Sequence, residues 1–458
     1  MPTLASKLVR YPARTSLLWY AGILLLGTMI LRLPACSGNP SSPITWLDAL
    51  FTATSALCVT GLSVRSTPND FSFLGQVVIL SLIQIGGLGI MTITTFILAQ
   101  LGGRAGLRQQ AIISETLGAS SSANLKLIIV RVFLLTIGIE LLGALVMLPR
   151  FAAEYPLGKA LWHSLFHSIS AFCNAGFALY DDSVVRYSGD WLVNLTLMAL
   201  IIAGGIGFPV LTDLARWLRN HRTQTILDLK LHTKLTVIGS FLLVFGGAFV
   251  LGGLEADGVL VDKSWSQRML IPIFQSVSCR TAGYNSVDIA ELSSASLFFM
   301  IVLMVIGAGA CSTGGGMKVA TVGMLLLHAV SRLQGRKQVE IFRRTIPESS
   351  IDRAMAAVML FLTVAAIALT LLLMIEQGDE RFKDNGSSFL AAAFEVASAL
   401  GTVGLTTGLT TQLSAAGKLI IIALMFLGRL GPITVFAALT IERRPRAVQY
   451  SVEEPLVG

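Results

Sequence analysis

Long apolar runs alternate along the chain with short stretches that carry most of its charge. Runs of spanning length cover 15–34, 73–101, 126–149, 190–213, 231–254, 296–330, 354–375 and 417–441. They are continuously apolar, without the one-sided stripe of a surface helix, and a bilayer core takes about 20 such residues as an α-helix. The pattern predicts a polytopic membrane protein. One run is interrupted in its middle. "IGAGACSTGGGMK", residues 306–318, carries a row of small residues, three consecutive glycines (Gly314, Gly315, Gly316) and Lys318. Glycine costs about 1 kcal/mol relative to alanine inside a helix, so the helix is expected to unwind here. Lys318 lies about a dozen residues from the end of its run, too deep to snorkel easily.

Between the apolar runs one short segment recurs: "FTATSALCVTGLS" from Phe51, "FHSISAFCNAGFA" from Phe166, "FQSVSCRTAGYNS" from Phe274 and "FEVASALGTVGLT" from Phe394. Each opens with Phe, has Ser at its fifth position (Ser55, Ser170, Ser278, Ser398) and reaches a glycine (Gly61, Gly176, Gly283, Gly404). Each is too short and too polar to span. The predicted unit is therefore span, half-helix, loop, span, present four times. Irregular backbone at membrane depth is tolerated only inside protein or along a water-filled cavity. Four such loops meeting on one axis would form a pore lined by carbonyl oxygens. The half-helices point their negative ends inward, and turned carbonyls can replace the hydration shell of an ion. Without a ring of carboxylates, a monovalent cation fits better than calcium.

Composition supports the membrane class: of 458 residues, 54% are hydrophobic and 13% charged, against about a quarter in soluble domains. The first run lacks a small-residue cleavage site and reads as a span, not a leader. The five cysteines (Cys36, Cys58, Cys173, Cys279, Cys311) form no CxxC pair or Cys/His cluster, so neither a zinc site nor a disulfide framework is expected. Basic residues cluster in alternate loops: Lys7, Arg10 and Arg14; Arg104 and Arg108; Arg216, Arg219, Arg222, Lys230 and Lys234; Arg332, Arg336, Lys337, Arg343 and Arg344; Arg443, Arg444 and Arg446. Lys and Arg concentrate on the cytoplasmic side, which places both termini there. The net charge of +8 needs no nucleic-acid partner; the basic loops offer docking for an acidic soluble partner or anionic lipid.

With "IQIGGLGIMT" (83–92), "LFHSISAFCNAGFAL" (165–179), "RTAGYNSVD" (280–288), "GAGACSTGGGMK" (307–318) and "GRLGPITV" (428–435), the chain resembles the Trk/Ktr/HKT superfamily of potassium transporters over essentially its whole length. Trk-type bacterial subunits carry two additional N-terminal spans, and here a short basic head precedes the first unit, so the chain looks like a Ktr-type membrane subunit. The resemblance implies an all-α integral membrane fold of four tandem units in pseudo-fourfold arrangement around one pore. The expected divisions are 1–101 (basic head and first unit), 102–218 (second), 219–330 (third, with an intramembrane gate loop at 307–317) and 331–458 (fourth unit and cytoplasmic tail).

The filter would comprise Val59, Thr60 and Gly61; Asn174, Ala175 and Gly176; Thr281, Ala282 and Gly283; and Thr402, Val403 and Gly404, with potassium at their carbonyls. In the family, glycine in all four filters goes with potassium selectivity, and serine in the first with sodium permeation. The gate would comprise Gly307, Ala308, Gly309, Ala310, Cys311, Ser312, Thr313, Gly314, Gly315, Gly316 and Lys318, moving when the pore opens. Arg429 is expected to face the cavity beneath the filter, holding loop carbonyls or acting as a positive barrier. Arg280 is expected to turn away from the ion and pair with Glu395 or Asp48. Asp213, Glu115 and the histidines carry no readable signal. The resemblance further implies a homodimer in the inner membrane of a bacterium, sodium-dependent uptake, and a cytoplasmic ring of RCK-type subunits sensing ATP, ADP or NAD(H). The chain has no GxGxxG or GxxxxGK[ST] motif, so it is expected to bind no cofactor itself. A membrane enzyme is the first competing class, but no HExxH, aspartate pair or Ser/His pairing supports it. An alternating-access carrier usually shows twofold inverted repeats, whereas the four copies here share one orientation. A Trk-type or sodium-permeable transporter of the same superfamily is the remaining alternative.

Overall fold

The computed structural model describes residues 12–39, 42–89, 125–219, 228–336, 338–342, 344–376 and 387–431. The basic head, most of the 102–126 loop with Glu115, Arg222, Lys337, Arg343 and the C-terminal basic cluster lie outside the described residues.

One helical pattern recurs four times. The first unit holds α1 (Pro12–Leu31), α2 (Trp46–Leu57) and α3 (Phe73–Gly87), and the second α4 (Leu125–Ala152), α5 (Leu157–Phe172), α6 (Trp191–Ile206) and α7 (Phe208–Arg219). The third holds α8 (Leu231–Leu254), α9 (Trp265–Ser278), α10 (Ser294–Val305) and α11 (Val319–Leu333), and the fourth α12 (Glu348–Glu376), α13 (Ser387–Gly401) and α14 (Ala415–Leu430). The short helices α2, α5, α9 and α13 carry the repeated segments. Each packs on the long helix before it. The following helix then reaches into the next unit: α3 packs on α5, α6 on α9, α10 on α13, and α14 returns to α2. The contacts therefore close on themselves. Phe51, Phe166, Phe274 and Phe394, which open the repeats, are all fully buried.

Polar residues at the helix starts fix this geometry. Thr45 and Asp48 form a reciprocal capping box on α2, and Ser264 and Gln267 form one on α9. The caps of the third helices do a second job, tying each to the end of its unit's first helix. Ser72 Oγ donates to the Ala35 carbonyl at 2.6 Å, and Asp190 pairs with Arg150 at 2.5 Å. The Ser293 amide donates to Glu255 at 2.9 Å, and Ser414 donates to Glu376 through its amide (3.1 Å) and hydroxyl (2.7 Å).

The structure refines the apolar pattern at one run and adds one small element. Among the described residues only Val130–Ala152, Leu231–Leu254 and Glu348–Glu376 are unbroken helices long and apolar enough to cross a membrane. The run 190–213 is not straight: it bends by 105° between α6 and α7. Gly207 there has φ 99°, which an L side chain rarely adopts. Beside the helices, β1 (Val339–Ile341) and β2 (Arg344–Ile346) form one short antiparallel hairpin before α12, which leaves the all-α class in place. Val339 and Ile346 bury against Ile351, with Met324, Leu325 and Leu327 of α11 packed around them.

Candidate functional site

The four repeated segments end in the same unusual backbone. Val59, Asn174, Thr281 and Thr402 adopt left-handed φ of 56°, 60°, 71° and 50°, and two residues later Gly61, Gly176, Gly283 and Gly404 have φ of 98°, 69°, 76° and 97°. A left-handed non-glycine residue is costly, so the turn must be over-determined by its surroundings. The repeated serines supply this. The amides of Thr60, Ala175, Ala282 and Val403 return to the carbonyls of Ser55, Ser170, Ser278 and Ser398 at 2.8, 2.8, 2.9 and 2.8 Å. The hydroxyls of Ser55 and Ser398 also accept from the Gly61 and Gly404 amides, at 3.1 and 3.0 Å. Those of Ser170 and Ser278 instead donate to the carbonyls of Phe177 and Tyr284. Phe, Ser and Gly in the repeat thus mean anchor, brace and turn.

The turns abut in cyclic order. A Cβ added to Gly61 would lie 2.6 Å from the Ala175 oxygen, one on Gly176 2.8 Å from the Ala282 oxygen, one on Gly283 2.4 Å from the Val403 oxygen, and one on Gly404 2.0 Å from the Thr60 oxygen. Each glycine therefore faces the carbonyl preceding the glycine of the next unit. Only hydrogen fits on the inner side.

The 306–318 stretch is unwound, as its composition predicts. α10 ends at Val305 and α11 starts at Val319, with Ile306 and Met317 bridged across the neck of the loop. The loop lies directly against the turns: a Cβ on Gly314 would be 2.1 Å from Thr281 Oγ1, and one on Gly315 2.1 Å from Thr402 Oγ1. The Gly309 and Thr313 amides donate to the Gly205 and Gly204 carbonyls at 2.8 and 3.2 Å, and the Phe208 amide donates to the Cys311 carbonyl at 3.1 Å. Thr313 Oγ1 donates to the Phe172 carbonyl at 3.1 Å. Lys318 Nζ folds back on the loop, donating to the Gly314 and Gly315 carbonyls at 2.9 and 3.2 Å. Arg429 donates to the Thr313 carbonyl and to the Gly86 carbonyl, joining the loop to the first unit. Ala308 is fully buried, while Ala310 and Ser312 remain partly accessible.

Arg280 turns away from the ring, but neither expected carboxylate meets it. Its Nη2 donates to Ser240 Oγ at 2.8 Å. Asp48 instead pairs with Arg65 at 2.8 Å, and Glu395 accepts from Thr406 and Thr410. The reason is position along the short helices. Arg280 lies just past the end of α9, whereas Asp48 occupies the first turn of α2 and serves as its cap. Asp213, which had no readable role, accepts from the Lys230 amide (3.1 Å) and the Thr233 hydroxyl (2.8 Å), securing the start of α8.

A second repeat was missed in the sequence. Gly86 and Gly89, Gly204 and Gly207, and Gly428 and Gly431 form the same G-x-x-G pattern in units one, two and four. A Cβ on Gly86, Gly204 or Gly428 would strike the carbonyl of Leu57, Phe172 or Leu400 at 1.9, 1.8 and 2.1 Å. Gly89, Gly207 and Gly431 have φ of 81°, 99° and 80°. The third helix thus closes on the short helix and then breaks. In unit three the same place is taken by the 306–318 loop.

The family described as TrkH, a cation transport protein, matches residues 19–447. The chain is 39% identical over 440 residues to the Ktr system potassium uptake protein B of Bacillus subtilis (strain 168), covering 93% of each chain. It is 38% identical to the protein of the same name from Vibrio alginolyticus, covering 97% of this chain and 94% of that one. It is 36% identical to the potassium/sodium uptake protein NtpJ of Enterococcus hirae, covering 94% and 93%. The crystal structure of the potassium transporter TrkH from Vibrio parahaemolyticus superposes with a TM-score of 0.73 at 19% identity, over 92% of this chain and 83% of that one, a likeness of fold. The chain is a multi-pass membrane protein that belongs to the TrkH family of cation transport proteins.

Proposed function

We propose that the chain takes up potassium through the carbonyls of its four glycine turns, its tandem units standing pseudo-fourfold around one pore. The observation that carries this reading is the cyclic approach of each glycine to the carbonyl of the next unit. Backbone oxygens with no carboxylate in the ring suit a monovalent cation that sheds its water. Relatives named for potassium uptake favour potassium as the cargo, and the relative named for potassium and sodium favours sodium as a second ion.

The 306–318 loop acts as the gate beneath the ring. Its closeness to Thr281 and Thr402 and the bonds from Arg429 and Lys318 to its carbonyls support a loop that blocks an ion leaving the filter until it moves. The chain works as a non-enzymatic homodimer in the bacterial inner membrane, with both termini cytoplasmic. A cytoplasmic RCK-type ring that binds ATP, ADP or NAD(H) sets the gate. The purified protein in proteoliposomes should pass potassium, or rubidium as tracer, above the level of empty vesicles. Absence of any cation flux from folded protein would sink the proposal, and equal flux of sodium alone would favour the sodium-permeable alternative.

A further inference from the structure

Glu140 has no part in the ring or the loop, yet it is a carboxyl placed midway along a spanning helix. It is 3% exposed, on a helix whose lipid-facing side carries Phe133, Leu134, Leu141, Leu142 and Leu145. A carboxylate in such a place must find a cation or take up a proton.

Among the described residues, its surroundings offer no cation. From α3, Gln84 Nε2 donates to Oε2 at 3.1 Å. From the end of α5, Cys173 Sγ lies 3.8 Å from Oε1 and 3.6 Å from Gln84 Oε1. Ser168 donates to the backbone carbonyl of Glu140, and α6 presents Leu200 one turn away, against Gly143. On α4 itself, Arg131 and Arg150 are more than two turns distant, and Arg150 is committed to Glu154 and Asp190. His163 and His167 of α5 face Phe151, farther along α4. The guanidinium of Arg429 is taken by the Gly86 and Thr313 carbonyls. Among the described residues, no Lys, Arg or His forms an ion pair with Glu140.

The carboxyl also touches the filter's support. Cys173 immediately precedes Asn174, the left-handed residue of the second turn, and a Cβ on Gly87 would lie 2.4 Å from its sulfur. The thiol is thus wedged between α3 and the carboxyl. A neutral carboxyl both donates and accepts, whereas an ionised one only accepts, so its protonation state changes what Gln84 and Cys173 can do.

We propose that Glu140 is a proton-binding site buried behind the second glycine turn, neutral at neutral pH, whose ionisation is felt at the ring through Cys173. A negative charge created there attracts a cation in the adjacent turn. Only the transport readout of this proposal rests on the proposed potassium function.

Infrared difference spectroscopy of the purified protein tests the site directly. The carbonyl stretch of a protonated carboxylic acid should appear in wild type minus E140Q at neutral pH and disappear at alkaline pH. In Gln84→Leu the same stretch should shift, because the amide donor is gone. Should E140Q not fold, that shift between wild type and Gln84→Leu carries the test, and its absence overturns the site. No acid band, or a band removed by sodium at constant pH, would overturn it in favour of an ionised carboxylate or a cation site. In proteoliposomes the KM for potassium should fall severalfold from neutral to alkaline pH in wild type and stay flat in E140Q. A wild-type KM independent of pH overturns the coupling. An acid band in a protein that passes no potassium upholds the proton site and defeats the proposed function instead.

Discussion

At each of the four glycines the neighbouring turn leaves room for hydrogen alone, and the clearances differ. A Cβ would meet a carbonyl oxygen at 2.0 Å on Gly404, 2.4 Å on Gly283, 2.6 Å on Gly61 and 2.8 Å on Gly176. A left-handed non-glycine residue adds about 1–2 kcal/mol of strain at any of them. Substitution by alanine should therefore impair potassium uptake in the order Gly404, Gly283, Gly61, Gly176. The first should lose at least about tenfold, since each ~1.4 kcal/mol is a factor of ten. Uptake kinetics of the four variants check this, and a Gly404→Ala protein with wild-type affinity would defeat the ring. Glu255 offers a separate test outside the span. Burial pushes its carboxyl upward, but hydrogen bonds from Ser296, Ser293 and Val259 outweigh this and leave it below the usual carboxylate value. A lowered folded value means stability that is present above the unfolded value of about 4.3 and is lost as pH falls through the folded one. Glu255→Gln should lose about 1–2 kcal/mol at neutral pH. The gap in thermal unfolding between variant and wild type should close in acid.

At the scale of elements, the 306–318 loop is fastened from outside as well as within. Arg429 contributes two charge-assisted hydrogen bonds to backbone carbonyls, each worth about 1.5–3 kcal/mol. If the loop gates, Arg429→Ala should raise potassium flux in the absence of any partner by about tenfold or more. Shortening the loop within 309–314 should do the same. A shortened protein that stays folded with unchanged flux would reduce the loop to packing. This loop was legible because its composition is unlike that of a helix. The other three breaks were not, although "GGLG", "GGIG" and "GRLG" stand in the sequence. Single glycines inside an apolar run are ordinary in membrane helices, and only the approach of Gly86, Gly204 and Gly428 to carbonyls of the short helices gives them meaning. Arg280 was misjudged for a related reason. Composition shows which charges exist, but the depth of each along its short helix decides which can meet.

At the scale of the molecule, chain order and contact order run together, because the helix that follows each short helix packs on the next short helix. Chain order could not reveal the β1–β2 hairpin, a brief basic stretch with two apolar residues per strand at most. The hairpin is nevertheless a fixed element. Val339 and Ile346 root it beside α11, while Glu340, Arg344 and Thr345 face outward. Lys234 of α8 lies 5.4 Å from the ring of Phe342, so the hairpin also touches the start of the third unit. α11 in turn is preceded directly by Lys318, which holds the loop carbonyls. A partner that pushed or pulled on the hairpin would thus act on a rigid helix whose far end is the proposed gate. Reversing the charge at Arg336, Lys337, Arg343 and Arg344 should remove nucleotide control by a cytoplasmic ring and weaken its salt-dependent binding. Flux of the membrane subunit alone should stay unchanged, since, among the described residues, the hairpin strands β1 and β2 make no contact with the glycine turns. Flux measured with and without the ring, at low and high salt, checks both halves. Full nucleotide control after the reversal would move the docking face away from the hairpin.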